Sequence, residues 1–75
     1  MKLSDRIRQI REANNLTQAA VANKCGMTPS GYGQIERKPY SSTFETLQKI
    51  AKGIGVTTPF LIDVQDPNFI EKNKL

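Results

Sequence analysis

Few side chains in this sequence can do covalent or metal chemistry, since 75 residues include no histidine and one cysteine, Cys25. One thiol with no imidazole builds neither a zinc site nor a disulfide within a chain. Cys25 is therefore read as a small core residue, and neither a metal nor a cofactor is expected. No carboxylates pair at helical spacing on a cleft, and no glycine loop is suited to cradling phosphates, so an enzyme is not expected either. The remaining polar chemistry is cationic and hydrogen-bonding. Eleven Lys and Arg stand against seven Asp and Glu, a formal charge of +4. Residues 1–56 hold nine of the basic and four of the acidic groups, whereas residues 57–75 carry −1. A basic body suits a polyanionic partner, although many solvated domains carry as much charge.

The elements that must position these groups are legible from periodicity and punctuation. Leu3, Ile7 and Ile10 recur at helical spacing and the Asn14-Asn15 pair stops them, which predicts a first helix to about Ala13. Thr17 stands where an N-cap belongs, ahead of an alanine-rich helix that Gly26 ends. Thr28-Pro29 repeats the start signal, because proline at the first helical position gives up an N–H that has no partner. That third helix should reach about Arg37. Ser42 and Glu45 have capping-box spacing before Phe44, Leu47, Ile50, Ala51 and Ile54, with Gly55 as terminator. Thr58-Pro59 opens a fifth helix through Phe60, Leu61, Ile62 and Val64. The expected architecture is all-α: a compact five-helix domain over residues 1–64, with a short tail over 65–75.

Helices two and three, joined by Gly26-Met27-Thr28, meet the narrow demands of a helix-turn-helix. Ala22 is small enough for a close crossing, Gly26 supplies a positive φ without a Cβ penalty, and Tyr32 and Ile35 bury apolar surface three residues apart. On these residues, together with Ile10-Arg11, Leu16-Thr17-Gln18, Val21-Ala22, Ile35-Glu36 and Thr43-Phe44-Glu45-Thr46-Leu47, the sequence resembles the Cro and lambdoid-repressor (XRE-like) family. The resemblance runs from about Leu3 to Leu61. It implies a lambda-repressor-like fold and a phage or bacterial transcriptional regulator that blocks or recruits polymerase through where it binds, with repression the expected direction.

By position, the resemblance implies that helix three lies in the major groove, with Pro29, Ser30 and Gln34 toward base edges. Gln34 is the best base reader, because a carboxamide pairs two-pronged with adenine. Gln18, Thr17, Thr28, Arg37, Lys38, Tyr40 and Ser41 would contact phosphates. Arg11 and Glu36 match a structural salt bridge that ties helix one to the reading helix. A plain solvated face is the alternative for Ser30, Gln34 and the cationic loop. Gly31 and Gly33 interrupt helix three, each at about 1 kcal/mol relative to alanine, and their bare backbone could instead approach DNA closely. Tyr32 needs a partner for its hydroxyl.

One reading helix covers a few base pairs, so this class binds near-palindromic double-stranded DNA as a homodimer. Phe60, Leu61, Val64, Phe69 and Ile70 are the expected dimer surface. A second class of function fits the same fold: an antitoxin-like module whose tail binds a partner protein. The charged N-terminus and the absence of a long apolar run predict no membrane segment and a cytoplasmic location.

Overall fold

The computed structural model describes residues 2–62. Its elements are α1 (Leu3–Ala13), α2 (Gln18–Cys25), α3 (Pro29–Arg37), a 3-10 turn (Pro39–Ser41), α4 (Phe44–Ile54) and α5 (Thr58–Ile62). The described residues are helical with no strand, in agreement with the all-α, five-helix expectation.

Each boundary has a local cause. Asn15 takes a left-handed φ of 57°, and the Asn14 amide donates to the Ile10 carbonyl, so the asparagine pair ends α1 by both backbone and side chain. The hydroxyl oxygens of Thr17 and Thr28 accept from the backbone N–H groups of Ala20 and Gly31, each at 3.0 Å, and cap α2 and α3. Gly26 has a φ of 70°, the left-handed turn that lets α3 leave α2 at a steep angle. The cap of α4 is Thr43, not Ser42: the Thr43 hydroxyl accepts from the Thr46 N–H at 3.2 Å, while the Ser42 hydroxyl donates back to the Pro39 carbonyl. Ser42 is drawn away because the preceding residues form a 3-10 turn, which periodicity does not announce. α5 opens at Thr58 as expected, and the Thr57 hydroxyl ahead of it accepts from the Phe60 N–H.

The core is built from Leu3, Ile7 and Ile10 of α1, Val21 and Ala22 of α2, Tyr32 of α3, Leu47, Ile50, Ala51 and Ile54 of α4, and Leu61 and Ile62 of α5. α2 packs on α3 and on α4, while α5 closes the far side against α1 and α4. The α2–α4 approach is close. A Cβ placed on Gly53 would stand 2.8 Å from the Cys25 sulfur, so the two helices meet where one has no side chain. Cys25 is half-buried against this contact, its thiol donating to the Lys49 carbonyl at 3.4 Å.

This packing alters one sequence-based expectation. Leu61, expected on a dimer surface, has 0% exposure and Ile62 has 3%; both serve the monomer's own core. A five-residue helix can reach that core only by turning these adjacent side chains inward, which leaves Phe60 outside. Val64, Phe69 and Ile70 lie outside the described residues.

Candidate nucleic-acid interface

The site begins with a buried ion pair. Arg11 Nε donates to Glu36 Oε2 at 2.7 Å and Arg11 Nη2 to Glu36 Oε1 at 3.0 Å, a two-pronged fork. The third guanidinium nitrogen, Nη1, donates to the Leu16 carbonyl at 2.7 Å. Glu36 also accepts from the Tyr32 hydroxyl at 2.6 Å and from Gln18 Nε2 at 3.1 Å. One carboxylate thus joins α1, the start of α2 and α3. No buried side-chain nitrogen or oxygen among the described residues lacks a hydrogen-bond partner, which is the condition under which a buried charge is tolerated.

The electrostatics follow from the contacts. Burial pushes the Glu36 carboxyl up, but the hydrogen bonds from Arg11, Tyr32 and Gln18 and the Arg11 charge outweigh it and hold the group below its ordinary value. Arg11 is raised, chiefly by its hydrogen bond to Glu36, with burial opposing. Tyr32 is pushed far up, first by burial and then by the Glu36 carboxylate beside it. All three therefore keep one protonation state throughout the neutral range.

This network fixes the angle at which α3 presents its outer face. Tyr32 is fully buried, while Pro29, Ser30 and Gln34 of the same helix are exposed. Gln34 lines an open groove of about 450 Å³ with Ile35, Arg37, Lys38, Ser41 and Ser42. Thr28, Pro29 and Ser30 sit at the opposite, N-terminal end of the helix. Arg37, Lys38 and Ser41 are exposed, so cations and a hydroxyl are grouped beside the exposed face of α3. Tyr40 is half-buried and packs on the core, so its ring has a structural duty besides any outward contact.

Gln18 and the two threonines carry double duties too. One amide hydrogen of Gln18 is committed to Glu36 and the other remains for a partner, since a carboxamide nitrogen bears two. Thr17 and Thr28 accept at their oxygens as caps, which leaves each O–H to donate outward. Gly33 is buried rather than turned to the outside, and corrects the expectation that its bare backbone faces DNA: a Cβ there would meet Gln18 Oε1 at 3.4 Å and an Arg37 guanidinium nitrogen at 3.5 Å. The Gln18 and Arg37 side chains lie over it, at distances that leave ordinary room for a methyl group.

The sequence signalled the Arg11–Glu36 pair and the need of Tyr32 for a partner. It did not reveal that the partner is Glu36, although the four-residue spacing of Tyr32 and Glu36 on one helix is the available signal. The Gln18–Glu36 bond was also missed. So was the bracket formed by Arg6, whose Nε and Nη2 donate to the Phe60 carbonyl at 3.0 and 2.6 Å while the guanidinium lies 5.0 Å from the Phe60 ring centre. Fifty-four residues separate that pair, and no local pattern points to it.

Two helices crossing at a left-handed glycine, the first small on its inner face and the second held by a buried aromatic, define a helix-turn-helix protein. The chain belongs to the helix-turn-helix family, whose model matches residues 7–61. Among curated relatives, the cryptic phage CTXphi transcriptional repressor RstR of Vibrio cholerae is 35% identical over 71 residues, 95% of this chain and 64% of that protein. The immunity repressor protein of Bacillus phage phi105 is 31% identical over 62 residues, 83% of this chain and 43% of the relative. The control protein C.SmaI of Serratia marcescens is 33% identical over 63 residues, 84% and 75% respectively. The chain thus spans less than two thirds of the length of the first two. No solved structure gives a significant match. Among the described residues no helix is long and apolar enough to cross a membrane.

Proposed function

We propose that this protein is a sequence-specific, double-stranded DNA-binding transcriptional repressor. α3 enters the major groove, with Gln34 as the principal base reader and Ser30 and Pro29 toward neighbouring base edges. Gln18, Thr17, Thr28, Arg37, Lys38, Tyr40 and Ser41 hold the phosphates on either side. The observation that carries this is the opposition of the two faces of α3: Tyr32 and Glu36 are locked inward by a four-member hydrogen-bond network, while Ser30 and Gln34 stand free outside it. A reading head needs that rigidity, because base-edge hydrogen bonds discriminate only at fixed geometry. Two relatives named as repressors support the direction of control.

The protein acts as a homodimer on two half-sites about one helical turn, roughly 34 Å, apart. Phe60, 54% exposed at the α5 edge, is the described part of the self-association surface; Val64, Phe69 and Ile70 are assigned to it from the sequence alone. Selection of bound sites from a random duplex pool, followed by salt titration of the winner against a scrambled duplex, tests this. A near-palindrome whose complex outlasts the scrambled one as salt rises supports the assignment. Recovery of no motif, with equal salt loss for every sequence, would reduce the basic face to a general electrostatic surface.

A further inference from the structure

We propose that a second, separate groove, between the C-terminal halves of α2 and α4, docks an acidic segment of a partner protein. The groove has a volume of about 520 Å³ and is lined by Lys24, Lys49 and Lys52 around Cys25, Gly53 and Ile54, with Gly55 at its end. The lining contains three cations and no Asp or Glu. None of the three lysines forms an ion pair among the described residues, even though Glu45 lies at the favourable four-residue spacing before Lys49.

Two of these lysines have an intramolecular reason to be present. Lys24 and Lys52 stand in the last turns of α2 and α4, where a cation offsets the negative end of the helix dipole. Lys49 does not; it lies a turn earlier on α4 and is exposed beside the same groove. Three unpaired like charges around one depression repel one another, and an anionic occupant removes that repulsion.

The place and lining of the groove favour a peptide over a second stretch of DNA. α2 carries Gln18 at one end and Cys25 at the other, about 10 Å apart along the axis. The groove at the Cys25 end shares no residue with the one lined by Gln34, Arg37 and Lys38. Besides the lysines it is lined by the buried Ile54, the half-buried Cys25 and the glycines Gly53 and Gly55. An acidic peptide with interspersed apolar side chains offers carboxylates to the lysines and aliphatic groups to the rest of this lining.

The probe is a synthetic peptide alternating Glu or Asp with Leu, titrated into the full chain and followed by amide NMR shifts, with Lys49→Gln/Lys52→Gln compared against Lys2→Gln/Arg8→Gln. The second pair removes the same charge from exposed positions outside the groove. The expected result is shifts centred on Cys25, Gly53 and Gly55, with affinity lowered about tenfold in the groove variant and less than about twofold in the control. Equal losses in both variants, or shifts centred on Arg37 and Lys38, would overturn the proposal as general electrostatics. A groove variant that loses affinity for duplex DNA more than the control does, and retains the peptide, would overturn it in favour of a DNA contact.

Discussion

Glu36 is the residue on which most of the site depends, because a single carboxylate is held by donors from three helices. Arg11→Ala leaves that charge buried without its cation, and a loss of about 3–5 kcal/mol in urea unfolding is expected. Tyr32→Phe removes one hydrogen bond to a charged acceptor while keeping the ring in the core, so the loss should be smaller, about 1.5–3 kcal/mol. A Tyr32→Phe loss as large as that of Arg11→Ala would mean that the hydroxyl's hydrogen bond, rather than the ion pair, is what makes the buried Glu36 charge tolerable. The same carboxylate sets an acid limit. Its folded-state value lies below the ordinary one, so the unfolded chain binds the proton more readily and stability rises with pH in that interval. The contribution is complete above the ordinary carboxylate value and disappears as pH falls through the depressed folded one. Glu36→Gln should therefore flatten the acid side of a stability-versus-pH curve and leave its neutral and alkaline sides parallel to the parent. The charged partners of this network were legible through the family resemblance, whereas its closure through Gln18 depends on how α2 crosses α3, which no local pattern encodes.

Among the helices, two helical glycines have opposite consequences. Gly33 lies within α3 with ordinary van der Waals room for a methyl group, its nearest neighbours 3.4 and 3.5 Å from a Cβ. Gly33→Ala should therefore raise stability by about 0.5–1 kcal/mol through helix propensity and a less flexible unfolded chain, read as a higher denaturant midpoint at an unchanged slope. Gly53 is different, because a Cβ there would collide with the Cys25 sulfur at 2.8 Å. Gly53→Ala should lower stability by about 1–3 kcal/mol through overpacking, and Cys25→Ala in the same chain should restore most of the loss. Simple addition of the two single effects would show that the α2–α4 contact is not the source. The helices themselves were legible: five were expected, and the starts at Thr17 and Thr28 and the left-handed Gly26 agree with the structure. What escaped was one residue of phase at the α4 cap. Ser42 and Thr43 are both competent caps, and only the 3-10 turn ahead of them decides which hydroxyl is free to serve.

For the molecule as a whole, the proposed function requires that a chain with one proposed reading helix gain enough affinity for its DNA site, and the proposed dimer answers this through Phe60. The adjacent pair at α5 separates packing from association. Leu61 is sealed in the core at 0% exposure, so Leu61→Glu places a carboxylate among aliphatic side chains and should unfold the domain. Phe60 is half exposed, and Arg6 lies across its ring while holding its carbonyl, so Phe60→Glu replaces a stacked ring with a carboxylate facing the same guanidinium. The fold should survive that change, with the helical content and melting cooperativity of the parent. Self-association should fall, because a charge then stands where apolar surface would be buried between copies, and binding to a two-half-site duplex should weaken toward that of a single half-site. Binding to the half-site duplex should stay within about twofold of the parent, since α3 and the residues proposed to contact phosphates are untouched. Equal losses on both duplexes would place Phe60 in the DNA contact itself, and no loss on either would move the dimer surface elsewhere.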